Sequence, residues 1–93
     1  MNIKIRLDRV YHILVKHEYE AQDILLKLKS TDQFADFAKK YSQCSSAKFG
    51  GDLGQFKPGR FTEAFEEACE SLPVGQISRP VRTQFGWHII LKQ

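Results

Sequence analysis

Tyr11-His12-Ile13-Leu14-Val15 is an apolar, β-branched run that carries one histidine, and Trp87-His88-Ile89-Ile90-Leu91 near the other end of the chain repeats the pattern. Period-two alternation puts His12 and Leu14 on one face of the first strand, opposite Tyr11, Ile13 and Val15. It puts His88 and Ile90 on one face of the last strand, opposite Trp87 and Ile89. A fold that pairs these two strands brings two imidazoles together. The glycine-rich centre around Cys44 then supplies a thiol to the same site.

Working outward from the first strand, Ile3, Ile5 and Leu7 alternate with charged residues and extend the β pattern toward the N-terminus. After Lys16-His17-Glu18, the residues Ala21, Ile24, Leu25 and Leu28 recur at helical spacing, with Glu18 and Glu20 first and Lys27 and Lys29 last. Phe34, Phe37, Ala38 and Tyr41 mark a second helix that closes at Ser42. The polar stretch 43–48 reads as a flexible loop leading to the tight turn Gly50-Gly51. Leu53 and Phe56 belong to a brief extended piece, and Lys57-Pro58-Gly59-Arg60 fits a type II turn. Phe61, Ala64, Phe65 and Ala68 begin a third helix, ended by Leu72-Pro73-Val74-Gly75. Ile77 to Val81 reads as a short edge strand, where Pro80 is tolerable, and residues 83–86 as the turn before the last strand. The order is β, α, α, short β, α, β, β.

With 93 residues the chain is expected to form one domain over residues 1–93. The 42% of apolar residues, including seven Phe, suffices for a packed core and excludes a disordered tail. The formal charge of +3 comes from lysines and arginines scattered along the chain, the longest run being Lys39-Lys40. A nucleic-acid footprint would be clustered, so no strong nucleic-acid signal is present. Cys44 and Cys69 lack metal-finger spacing and read as free thiols. No segment reaches membrane-spanning length or resembles an export h-region, so a cytoplasmic location is expected if this is the full-length chain.

The chemistry-bearing residues admit more than one reading. His12 and His88 can share a proton through ring nitrogens, or each can be a core histidine satisfied by a backbone or hydroxyl partner. Cys44 can be a nucleophile beside an imidazole or a small buried hydrophobe. Cys69, on a packed helix, reads as structural. His12 and His17 are poorly spaced to share a tetrahedral zinc, and Gly50, Gly51 and Gly54 lack a phosphate-loop ending. Leu53, Phe61 and Phe65 can be core or can line an apolar pocket whose mouth lies near Lys48, Lys57 and Arg60.

Five motifs taken together decide among these. His12 to Lys16, Ala38-Lys39-Lys40-Tyr41-Ser42 with Cys44, Gly50-Gly51-Asp52-Leu53-Gly54, Gly59 to Phe65, and Phe85-Gly86-Trp87-His88-Ile89-Ile90 stand in family order and closely resemble the parvulin family of peptidyl-prolyl cis-trans isomerases. The resemblance covers nearly all of residues 7–92. It implies an α+β fold, a four-stranded antiparallel sheet surrounded by helices, with the first and last strands adjacent at its centre, parvulin/FKBP-like. It implies His12 and His88 as paired active-site histidines, Cys44 at the position parvulins fill with Cys or Asp, Thr83 beside the histidines, and Leu53, Phe61 and Phe65 as the proline pocket. Phe61 departs from the family's usual methionine. The arginine-bearing loop of phosphate-selecting parvulins is replaced by Lys16-His17-Glu18-Tyr19-Glu20, so the expected activity is rotation of Xaa-Pro bonds without phosphate specificity, assisting protein folding. The implied partners are proline-containing peptides and unfolded or partly folded proteins; a monomer without cofactor or metal is expected. The alternative is a non-catalytic module that binds proline-containing segments as a chaperone.

Overall fold

A computed structural model describes residues 8–93; the alternation at Ile3, Ile5 and Leu7 lies outside the described residues. Arg9–Val15 forms strand β1 and Gly86–Lys92 forms β4, paired antiparallel over six residue pairs from Val10↔Lys92 to Val15↔Trp87. Asp52–Gln55 (β2) joins the free side of β1 and Val81–Thr83 (β3) the free side of β4, giving the order β2-β1-β4-β3. The two apolar runs are therefore central, which is why β4 stays buried from His88 to Lys92.

The pleat sorts the residues into two layers. Ile13, Val15, Ile89 and Leu91 project to one face, where they meet Ala21 and Ile24 of helix α1 (Glu18–Lys27), Leu28 just beyond it, and Phe34 and Ala38 of helix α2 (Phe34–Tyr41). Val10 and Ile90 project to the other, against Phe65 and Cys69 of helix α3 (Glu63–Ser71). His12 and His88 share this second face.

Helix α1 starts two residues after β1, with Glu20 Oε1 accepting the His17 N–H at 3.0 Å and an Asp23–Lys27 pair at 3.0 Å one turn later. Helix α3 begins at Glu63, not Phe61, because Thr62 is its N-cap and the Thr62 hydroxyl oxygen accepts the Phe65 N–H at 3.4 Å. At the other end Lys92, buried on β4, donates from Nζ to the Cys69 carbonyl at 2.7 Å, a cation at a helix C-terminus. Cys69 is buried as expected for a structural residue, and burial pushes its thiol up to about 11.

Two further local expectations differ from the structure. The edge strand is Val81–Thr83, with Ile77 held to Leu91 by a separate bridge. Pro80 has no N–H, so pairing along β4 breaks there and resumes after it. The stretch read as a flexible loop contains a 3-10 turn over Ser45–Phe49, closed by Gly50 at φ +71°.

Candidate active site

Gly51 fixes the start of the site. The His12 N–H donates to the Gly51 carbonyl at 2.9 Å, and a Cβ at Gly51 would collide with the His12 carbonyl oxygen. With φ at +83°, only glycine allows this segment to lie on the backbone of β1. Ser42, at the end of α2, fixes the next part. Its hydroxyl oxygen accepts the Leu14 N–H at 3.0 Å and lies 3.4 Å from the Cys44 nitrogen, tying the thiol-bearing loop to β1.

The register places Leu14 opposite His88 and Ile90 opposite His12, so the two imidazoles are diagonal neighbours. Their Nδ1 atoms are 2.9 Å apart, and the rings lie nearly parallel, 20° between planes. His88 Nε2 lies 2.6 Å from Thr83 Oγ1, which also accepts the Phe85 N–H at 3.1 Å. His12 Nε2 is buried with no partner among the described residues. Phe65 presents its ring nearly perpendicular to both imidazoles, at 5.7 Å from His12 and 5.1 Å from His88.

These contacts assign the protons. Two neutral imidazoles carry two N–H groups, and one of them lies in the Nδ1–Nδ1 bond. If His88 donates there, His12 must hold its proton on Nε2, a buried donor without an acceptor. If His12 donates instead, His88 Nε2–H donates to Thr83 Oγ1 and only a lone pair on His12 Nε2 goes unused. Orphaned N–H groups are the rarer and costlier defect, so the second arrangement is favoured. It leaves the Thr83 hydroxyl proton available to a further acceptor.

Burial lowers His12 to about 4, helped by its neighbour His88, and lowers His88 to about 4 as well. The pair is therefore neutral at pH 7 and acts as a fixed array of dipoles, not as a charge.

A cleft of about 500 Å³ opens above the pair, lined among others by Cys44, Leu53, Phe61 and Phe65. The structure thus brings together six of the seven residues expected at the site, with Thr83 directly behind His88. Phe61 lies 5.0 Å from Phe65 and 6.3 Å from Phe56, making an aromatic wall. Of the three cations expected at the mouth, Arg60 lines the cleft, its guanidinium 5.9 Å from the Phe61 ring. Lys48 instead sits 5.3 Å over Phe49, and Lys57 is not part of the lining.

Leu14, Thr62, Gln84 and Phe85 also line the cleft and were not singled out from the sequence. Leu14 was available there, sharing the His12 face. Phe85 carried a weaker sign: an aromatic side chain in a tight turn has no turn-forming purpose, and it is 64% exposed at the cleft rim.

Residues 12–93 match the PPIC-type PPIASE domain family of rotamases. The chain belongs to this family. Foldase protein PrsA of Geobacillus sp. (strain WCH70) is 52% identical over 83 residues, which make up 88% of this chain and 30% of that protein. The crystal structure of PrsA from Bacillus anthracis superposes with a TM-score of 0.87 at 44% identity, over 91% of this chain and 40% of that one. NmPin, the parvulin of Nitrosopumilus maritimus, gives 0.83 at 41% identity over 96% and 98% of the two chains. The α+β fold expected from the resemblance is the one observed.

The chain spans about 30% of the length of the PrsA relatives. They correct the expected cytoplasmic location, because the PrsA foldases are extracytoplasmic. Export and anchoring segments are separate from a folded catalytic domain, so the lack of an h-region in these residues carries no record of compartment. No helix among the described residues is long and apolar enough to cross a membrane.

Proposed function

We propose that the cleft binds a proline ring between Leu53, Phe61 and Phe65 and accelerates rotation of the preceding peptide bond in unfolded or partly folded proteins. The observation that carries this reading is an apolar cleft floored by two mutually bonded, neutral imidazoles with Cys44 in its wall.

Rotation meets a barrier of about 18–20 kcal/mol because amide resonance is lost when the bond twists. No covalent step is needed. The aromatic wall grips the ring, while the carbonyl before it swings past Cys44 through surroundings of low polarity. In the twisted state the imide nitrogen becomes more basic, and a site whose donors are already oriented favours it over the planar amide. His12, His88 and Thr83 hold the floor in one hydrogen-bonded arrangement, and Cys44 adjusts the field at the carbonyl without attacking it.

Phosphate selectivity is not part of the proposal. Only Lys16 and His17 connect β1 to α1, and the helix opens with Glu18 and Glu20, which disfavour an incoming anion.

The test is cis-trans exchange measured by NMR on short peptides with Glu, phosphoserine, Leu, Ala or Arg before proline. Accelerated exchange without a preference for phosphoserine supports the reading. Shifted or broadened signals with no acceleration would mean a proline-segment binding module instead.

A further inference from the structure

Glu66 lies outside the cleft lining, yet it is hydrogen-bonded to the segment that forms one of the cleft walls. Its Oε2 accepts two backbone N–H groups, from Gly59 at 2.7 Å and from Phe61 at 3.0 Å. Both belong to the segment that carries Phe61 and Arg60 to the cleft. The residues 57–60 are exposed, and a Cβ built at Gly59 would meet nothing within 4 Å. Packing therefore does not hold this turn. Gly59 adopts φ +90°, close to the value a type II turn needs at this position, so glycine lets the turn form here without a packed side chain to hold it.

The same helical turn places both sides of the pocket. Thr62 caps α3 through the Phe65 N–H, which sets Phe65 over the imidazoles, and Glu66 follows at the next position and reaches back to the turn. A carboxylate accepting two amide protons makes a charge-assisted, two-point clamp. We propose that Glu66 is a positioning residue for rotamase activity, acting by clamping residues 59–61 so that Phe61 stands against Phe65 as the wall for the proline ring. This rests on the catalytic reading above.

The clamp acts on a wall that grips planar and twisted substrate alike, so its loss removes uniform binding. In Glu66→Ala, KM for an Xaa-Pro peptide is expected to rise about five- to tenfold while kcat changes by less than about twofold. Glu66→Gln keeps an acceptor oxygen and is expected to stay within about twofold of the unsubstituted protein. Amide hydrogen exchange, followed residue by residue in the absence of peptide, supplies the second arm. Glu66→Ala should lose protection at Gly59 and Phe61 and keep it at His12 and Ile90.

Unchanged KM and kcat in Glu66→Ala overturns the proposal, as does undiminished protection at those two amides. A fall in activity that follows only a fall in folded fraction, equal in both variants, reduces Glu66 to a structural residue and also overturns it. If the unsubstituted protein fails to accelerate exchange, the catalytic reading fails while the amide measurement still decides whether the clamp exists.

Discussion

His88 faces Leu14, not His12, across the β1–β4 ladder. The imidazoles meet on the diagonal, and the offset lets their Nδ1 atoms approach to 2.9 Å while the rings remain nearly parallel. Each Nδ1 thus has the other as its partner in an apolar layer.

Removing one ring leaves the other with an unpaired buried nitrogen. His12→Leu and His88→Leu should each cost about 1–3 kcal/mol, and the double variant should cost less than the sum by about 1 kcal/mol. Urea unfolding of the four proteins measures this; strict additivity would show that the pair is not coupled.

The same pair makes stability depend on pH. Both folded values lie at about 4, below the ordinary 6.5. As pH falls, the unfolded chain takes up these protons first, so stability is complete above about pH 6.5 and is lost progressively down to about pH 4. The loss is on the order of a few kcal/mol for the pair. Unfolding curves at pH 7, 5.5 and 4.5 should show it, and the double leucine variant, which lacks the buried pair, should be flatter. Equal slopes would refute the neutral pair.

Cys44→Ala should retain turnover within about two orders of magnitude, because tuning a field contributes less than forming a bond. Complete loss of exchange with unchanged circular dichroism would point to covalent chemistry at the thiol.

Phe61→Ala should lower kcat/KM about tenfold or more, since a half-buried aromatic face is withdrawn from the proline ring. Its effect on the melting temperature should be small, as Phe61 only borders the core. Near-normal kinetics would remove this residue from the proline wall.

Gly51→Ala should destabilise the protein by several kcal/mol, because the added methyl meets the His12 carbonyl and the backbone has positive φ. Thermal unfolding reads this directly. A near-neutral result would mean that β2 does not lie on β1 as described.

The strand faces and the helix periodicities were legible because burial imposes a period on the sequence. Ile13, Ile89 and Ala21 could be read that way, and so could the shared face of His12 and His88. Hydrogen bonds from side chains to distant backbone impose no period, and the misreadings gather there. The loop carrying Cys44 is ordered by the Ser42 hydroxyl and by the capping Gly50, neither of which a hydrophobic pattern reveals. The edge strand shifted because Pro80 divides a run that looks continuous by composition. The family resemblance placed Thr83 near the histidines, which no local pattern contains, and its contact with His88 came only from the structure. The clamp by Glu66 was hidden among four glutamates on one helix.

Both rims of the sheet are short, four residues in β2 and three in β3. Each rim exposes few unsatisfied amides and carbonyls, and the β2 rim is further interrupted by Gly54 at φ +83°. A protein acting as proposed on unfolded chains would be exposed to being zipped onto them through its own backbone. Here that hazard is confined to four residues of edge on one side and three on the other, so the sheet offers an added strand little to pair with.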